Sequence, residues 1–111
     1  MDLVNELNNL ISKLDVSVKS LRKTGSEYAK AYTDYRVALA KELVRLKDDG
    51  MAVTIAYDVA RGKPEIARLK FKEISSEAIY KANQEAINST KLQIKIIQEQ
   101  INKEYSSDLP N

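Results

Sequence analysis

The side chains of this sequence that could do chemistry are carboxylates and cations, because the chain contains no histidine and no cysteine. A catalytic site needs a nucleophile or a base, and a second group that orients it. Glu73 and Glu77 are one helical turn apart and could share a divalent ion, whereas the adjacent Asp48 and Asp49 would diverge on a helix. The lysine-rich surroundings favour a solvated face for the glutamate pair. We therefore predict no enzymatic activity, no cofactor and no metal site.

A basic segment over residues 61–72 carries five cations and one carboxylate. Such a cluster can bind phosphates, with an affinity that falls steeply as salt is added. The alternative is the mixed charge of an ordinary solvated helix, since Phe71 is the one aromatic ring within the segment. The candidate nucleic-acid-binding residues are Arg61, Lys63, Arg68 and Lys72.

An apolar segment lies between two glycines, at residues 50–62. We predict a two-turn helix over residues 54–61, with Thr54 as its N-cap. The favoured interpretation is structural: this helix crosses the open end of a helical hairpin, and Ile55 and Val59 cover the apolar interior. The alternative is an exposed apolar surface that binds a partner protein. The candidate partner-binding residues are Ile55, Tyr57 and Val59.

The helices that must position these groups are predicted from turn content and apolar periodicity. Three glycines and two prolines leave few places for turns, which favours long helices over a sheet. Apolar residues at intervals of three and four predict helices over residues 3–23 and 27–49, ended by Gly50 in the left-handed C-cap conformation. A capping-box pattern at residues 24–27 and the cost of an interior glycine, about 1 kcal/mol, favour a break there. The alternative is one continuous helix with Gly25 on its seam.

Three tyrosines, Tyr28, Tyr32 and Tyr35, lie at seam spacing on the second of these helices. Tyrosines in such a row can form a platform on which bases stack. Tyrosine at seam spacing is more often part of a core, with its hydroxyl group at the rim. We favour the core, because rings would pack well against the alanine-rich half of the last helix.

The last helix is predicted over residues 64–105, because Pro64 is a good first helical residue. It carries two adjacent apolar lines, and the polar segment 106–111 after it is expected to fray. The first line is Phe71, Ile74, Ala78, Ala82 and Ala86, and the second is Ile87, Ile94, Ile97 and Ile101.

Together these elements predict an all-α fold within a single domain over residues 1–111: a long antiparallel, coiled-coil-like helical hairpin with a short connecting helix and an N-terminal helical extension. The extension could fold back or continue the first arm. Apolar surface beyond what one hairpin can bury predicts a homo-oligomer, with a dimer favoured. A net charge of +2 gives no general attraction to nucleic acid or to a membrane. Since there is no signal-peptide pattern and no apolar run of about 18 residues, we expect a cytoplasmic protein without membrane contact.

Three segments, "LRKTGSEYAKAYTDYRVALAKEL", "VTIAYDVARGKPEIA" and "YKANQEAINSTKLQIKIIQEQI", carry a family resemblance. Over roughly Leu21 to Tyr105 the chain resembles small helical proteins of unassigned function that bacteriophages and prophages of Gram-positive bacteria encode. The resemblance implies a non-enzymatic interaction protein in the bacterial host cytoplasm, which binds a host or phage protein through its helical surface and could inhibit it. The alternative is a nucleic-acid-binding accessory protein of phage replication or recombination that uses the basic segment. A virion component is a third reading, and it would require self-assembly well beyond a dimer.

Overall fold

The computed structural model describes residues 2–107 and consists, over those residues, of three helices without a strand. Helix α1 spans Leu3–Asp48, α2 spans Val53–Gly62 and α3 spans Pro64–Ser107. The all-α helical hairpin predicted from the sequence is confirmed, since α1 and α3 pack against each other and α2 connects them.

Residues 24–26 do not interrupt α1, so the prediction of separate helices over 3–23 and 27–49 is wrong. One helix of 46 residues covers both, and the N-terminal segment continues the first arm. Gly25 lies against the ring of Tyr80, and a Cβ atom added to it would be 3.1 Å from the ring atom Cε1. Glycine leaves room for this ring, although its entropic cost inside a helix is higher than that of alanine.

The turn after α1 has the geometry of a Schellman motif. Gly50 has a φ of +89°, which confirms the left-handed conformation predicted for it. Its N–H donates to the carbonyl of Lys47 at 2.9 Å, and the N–H of Met51 donates to the carbonyl of Leu46 at 3.1 Å. These are the two hydrogen bonds of the motif, and Met51 packs against the buried cluster that contains Leu46. The turn therefore joins the end of α1 firmly to the start of α2.

The ends of α2 and α3 differ in detail from the sequence prediction. Helix α2 starts at Val53 rather than at Thr54, and the predicted Thr54 cap is wrong, because Ala52 is the N-cap and makes no side-chain hydrogen bond. Helix α3 ends at Ser107, two residues beyond the predicted end at residue 105, and the fraying expected after that end stays a prediction. The rest of that predicted tail, residues 108–111, lies outside the described residues.

The chain divides into two compact units. Unit 1 comprises Met1–Lys23 and Lys81–Asn111, and unit 2 comprises Thr24–Tyr80. Both long helices run through both units, and the single domain expected from the sequence stays a prediction.

Within unit 1, the first half of α1 packs antiparallel to the second half of α3. Leu10 lies beside Ile97, and further along α1 the carbonyl of Ser17 accepts a hydrogen bond from Asn83 Nδ2 at 2.9 Å. The packing follows the apolar periodicity from which the helix over residues 3–23 was predicted, although Val18 is exposed. Ile87, Thr90 and Ile97 are buried, and Leu3, Leu7, Leu10, Leu14 and Leu21 are half-buried.

In unit 2, the face that α3 turns toward α1 is not the apolar line predicted from the sequence. Phe71 and Ile74 are exposed, whereas Glu73 is buried and Glu77 is half-buried. Tyr28 donates its hydroxyl hydrogen to Glu77 at 2.5 Å, and this hydrogen bond, with burial, raises the pKa of Tyr28 to about 12. The solvated face expected for the two glutamates is therefore wrong. Apolar periodicity missed this seam because carboxylates form part of it.

The tyrosine stripe is only partly a core. Tyr35 is buried and Tyr28 is half-buried, where it packs 6.0 Å from Tyr80 between ring centroids. Tyr32 is exposed and meets Tyr28 edge-on at 6.5 Å. The first and last tyrosines of the stripe are thus buried or half-buried, and the middle one lies at the surface of unit 2.

Candidate protein-docking site

Helix α2 turns its small residues inward and its large residues to solvent. Ala56 and Ala60 are fully buried, one helical turn apart, against the end of α1. Alanine at both positions lets the α2 backbone lie close to α1, so the larger side chains must point away. The prediction that Ile55 and Val59 cover the hairpin interior is therefore wrong. The exposed residues, here called the α2 surface, are Val53 (49% exposed), Ile55 (57%), Tyr57 (39%) and Val59 (45%).

A buried carboxylate holds the corner between α2 and α3. Glu42 is 8% exposed and accepts hydrogen bonds from Arg45 Nη2 at 2.5 Å and from Lys63 Nζ at 3.1 Å. The hydrogen bond from Arg45, reinforced by that from Lys63, lowers the pKa of Glu42 to about 2. Because Lys63 immediately follows α2, this ion pair fixes the end of α2 against α1.

A groove of about 390 Å³ runs beside the α2 surface, and we call it the cationic groove. Three cations line it, Arg36, Arg61 and Lys70, together with Tyr35 and Tyr57. The Arg61 guanidinium lies 5.1 Å from the ring centroid of Tyr57, and the Lys70 ammonium lies 4.8 Å from that of Tyr35. The rest of the lining is apolar, from Leu39, Ala40 and Leu43.

The four basic residues predicted to bind nucleic acid differ in their contacts. Arg61 lines the cationic groove, and Lys63 is paired with Glu42. Arg68 and Lys72 are exposed on α3, outside the lining of that groove. The described contacts thus separate the four cations into different environments.

Of the groove's lining residues, Arg36 was missed from the sequence, and Lys70 was counted in the basic segment 61–72 but not among its four candidate residues. Arg36 follows Tyr32 by four residues, just as Arg61 follows Tyr57. That spacing places a guanidinium over a ring on the same helix face, and the Arg36 guanidinium is 5.8 Å from the Tyr32 centroid. The repeated tyrosine–arginine spacing is the pattern from which both guanidinium–ring contacts could have been predicted. The contact of Lys70 leaves no such pattern, because Tyr35 belongs to another helix.

Comparison with known proteins leaves the site to be interpreted from its own chemistry. No protein-family model, curated protein or solved structure matches the chain. Within residues 2–107, each helix falls short of the apolar length that crossing a membrane demands. Over the same residues, no three acidic side chains meet where they could hold a metal ion.

Proposed function

We propose that this chain is a non-enzymatic interaction protein of bacteriophage origin, which docks a host or phage protein on the α2 surface in the host cytoplasm. The observation that supports the proposal is the exposure of all four large apolar side chains on a ten-residue helix. Val53 and Tyr57 lie one turn apart on one flank of α2, and Ile55 and Val59 lie one turn apart on the other. Exposed pairs of large apolar side chains are typical of protein-binding surfaces. Docking would also inhibit the partner if it covers a surface that the partner needs.

The way α2 is held suits it to docking. The Schellman turn fixes its start, and the Glu42–Lys63 ion pair fixes its end. A helix that is already ordered loses little conformational entropy when a partner binds. Tyr57 adds a large, stiff side chain of the kind that is enriched at the energetic centres of interfaces.

The contacts favour a protein partner over nucleic acid. A nucleic-acid site needs several cations along one path, whereas Lys63 is engaged by Glu42, and Arg68 and Lys72 lie outside the groove that Arg61 lines. A base-stacking platform needs open ring faces, whereas Tyr35 is buried and Arg61 covers one face of Tyr57. The homodimer predicted from the sequence stays a prediction, which sedimentation equilibrium of the purified protein checks.

The proposal is tested by capture of partners from a Gram-positive host lysate, with and without nuclease, followed by mass spectrometry. The bait is the full chain, the docking variant is Ile55→Ser with Val59→Ser, and the matched control is Val4→Ser with Val16→Ser. The control removes two equally exposed valines from unit 1. We expect one dominant protein that resists nuclease, is kept by the control and is lost with the docking variant. Retention by the docking variant, or recovery of nuclease-sensitive material alone, would refute the proposal.

A further inference from the structure

We propose that the cationic groove is the second half of the docking surface, and that it seats an acidic segment of the partner, whose Asp or Glu carboxylates bind Arg36 and Arg61. The inference rests on the proposed function and names the chemistry of the partner. Tyr57 and Arg61 belong to α2 and also line the groove, so one ligand can contact the groove and the flank of the α2 surface that carries Tyr57.

The two arginines of the groove keep their charge free for a ligand. Over the described residues, neither Arg36 nor Arg61 forms an ion pair. The guanidinium of each lies over the ring of a tyrosine. Arg45 is the opposite case, since its guanidinium is bound by Glu42 and Asp49. A ring holds a guanidinium by its face without neutralising it, so the N–H donors at the edge stay available.

Lys70 contributes less positive charge to the groove than the two arginines do. Its ammonium lies 3.3 Å from Glu73 as well as over the ring of Tyr35. Because the buried Glu73 carboxylate offsets its charge, the main attraction for an anion comes from the two guanidiniums. Each can bind a carboxylate through two parallel hydrogen bonds, which an ammonium cannot do.

The remaining lining indicates a peptide as the source of the carboxylates. Leu39, Ala40 and Leu43 give the groove an apolar wall, which suits aliphatic or aromatic side chains next to the acidic ones. Among the described residues, the groove lining contains no carboxylate that would repel an acidic ligand. A segment that alternates acidic and apolar residues therefore matches both the charge and the surface of this groove.

The test selects binders from a random twelve-residue peptide display library on the full chain. Parallel selections use Arg36→Gln with Arg61→Gln, and a control, Arg22→Gln with Lys47→Gln, that removes two exposed cations elsewhere on α1. We expect the native chain and the control to enrich peptides with Asp or Glu beside an apolar residue. Loss of each guanidinium should raise the Kd of such a peptide about tenfold or more. A second variant, Arg36→Lys with Arg61→Lys, keeps the charge and should give an intermediate Kd.

Three results would overturn the inference: no enriched peptide, enrichment without acidic residues, or a Kd that the arginine substitutions leave unchanged. A labelled single-stranded oligonucleotide that binds the native chain but not the Arg→Gln variant would also overturn it, because the groove would then serve nucleic acid. The lysate experiment separates the two proposals. A partner lost with Ile55→Ser/Val59→Ser but kept with Arg36→Gln/Arg61→Gln refutes the groove alone, whereas a partner kept with both refutes the docking function itself.

Discussion

Unit 1 and unit 2 both pair α1 with α3, but they place different side chains in the seam. Unit 1 uses aliphatic residues, with Ile87 and Ile97 buried between half-buried leucines. Unit 2 places Tyr28 and Tyr35 opposite a helix face that includes Glu73 and Glu77. Aliphatic packing is non-directional, whereas a phenol that donates to a carboxylate fixes the register of two helices. Unit 1 has a directional contact of its own, the hydrogen bond from Asn83 to the Ser17 carbonyl, so the units differ in the side chains that fill the seam: mainly aliphatic in unit 1, tyrosine and glutamate in unit 2.

The surfaces of the two units also differ in the features that they carry. Unit 2 contains α2, the cationic groove and the three contacts between a cation and a tyrosine ring. Each of these features requires a side chain to be held in one place. The proposed docking surface therefore lies in the unit whose seam contains the tyrosines and the glutamates.

The largest expected effect is on the aliphatic seam of unit 1. Ile97→Ala removes a buried side chain that is 7% exposed, and it should lower the free energy of unfolding by about 2–5 kcal/mol. Urea unfolding followed by circular dichroism measures the loss. Val16→Ala, at a position that is 64% exposed, is the control and should change stability by about 0.5 kcal/mol or less. Equal effects of the two substitutions would contradict the packing role given to unit 1.

A smaller effect, whose size depends on a neighbouring ring, is expected at Gly25 in unit 2. Gly25→Ala should gain less than the about 1 kcal/mol that alanine offers as a helix former, because the new Cβ atom would lie 3.1 Å from Tyr80 Cε1 and the ring must shift. With Tyr80→Leu as background, the same change should stabilise the helix by about 1 kcal/mol, since alanine is the better helix former. Urea unfolding of the double-mutant cycle measures both values. The same effect in both backgrounds would show that the ring does not require the glycine.

The smallest effect is expected at the Glu42 ion pairs, because the partner side chains Arg45 and Lys63 are 55% and 39% exposed to solvent. The folded-state pKa of Glu42 is lowered to about 2, below its ordinary value of 4.5. Its contribution to stability is therefore complete above pH 4.5 and is lost as the pH falls toward 2. Glu42→Gln should lower the Tm at pH 7 and leave it nearly unchanged at pH 2.

The control for that experiment is Glu99→Gln, which changes an exposed glutamate of unit 1. Its Tm difference from the native chain should be small at both pH values. A Glu42→Gln difference that stays constant from pH 7 to pH 2 would contradict the ion-pair role, since it would not follow the charge of the carboxylate.

The candidate site was only partly predictable from the sequence. Ile55, Tyr57 and Val59 were identified as candidate partner-binding residues, but the favoured interpretation buried two of them. Their orientation depends on Ala56 and Ala60, which pack against Leu46 of another helix. The groove was missed because its lining combines residues from all three helices, and such a combination leaves no periodic signal in the chain.

The sequence by itself determined the helical class, the left-handed turn at Gly50 and the start of α3 at Pro64. These features depend on backbone chemistry and periodicity within a few residues, so local sequence encodes them. Only the tertiary structure decided that α1 continues through Gly25 and that Glu73, rather than Phe71, faces the seam. The physical reason is that a glycine or a carboxylate is tolerated inside a helix pair only when a partner meets it there. For Gly25 the partner is the ring of Tyr80 on the opposite helix, and for Glu73 it is Lys70, one turn away on the same helix.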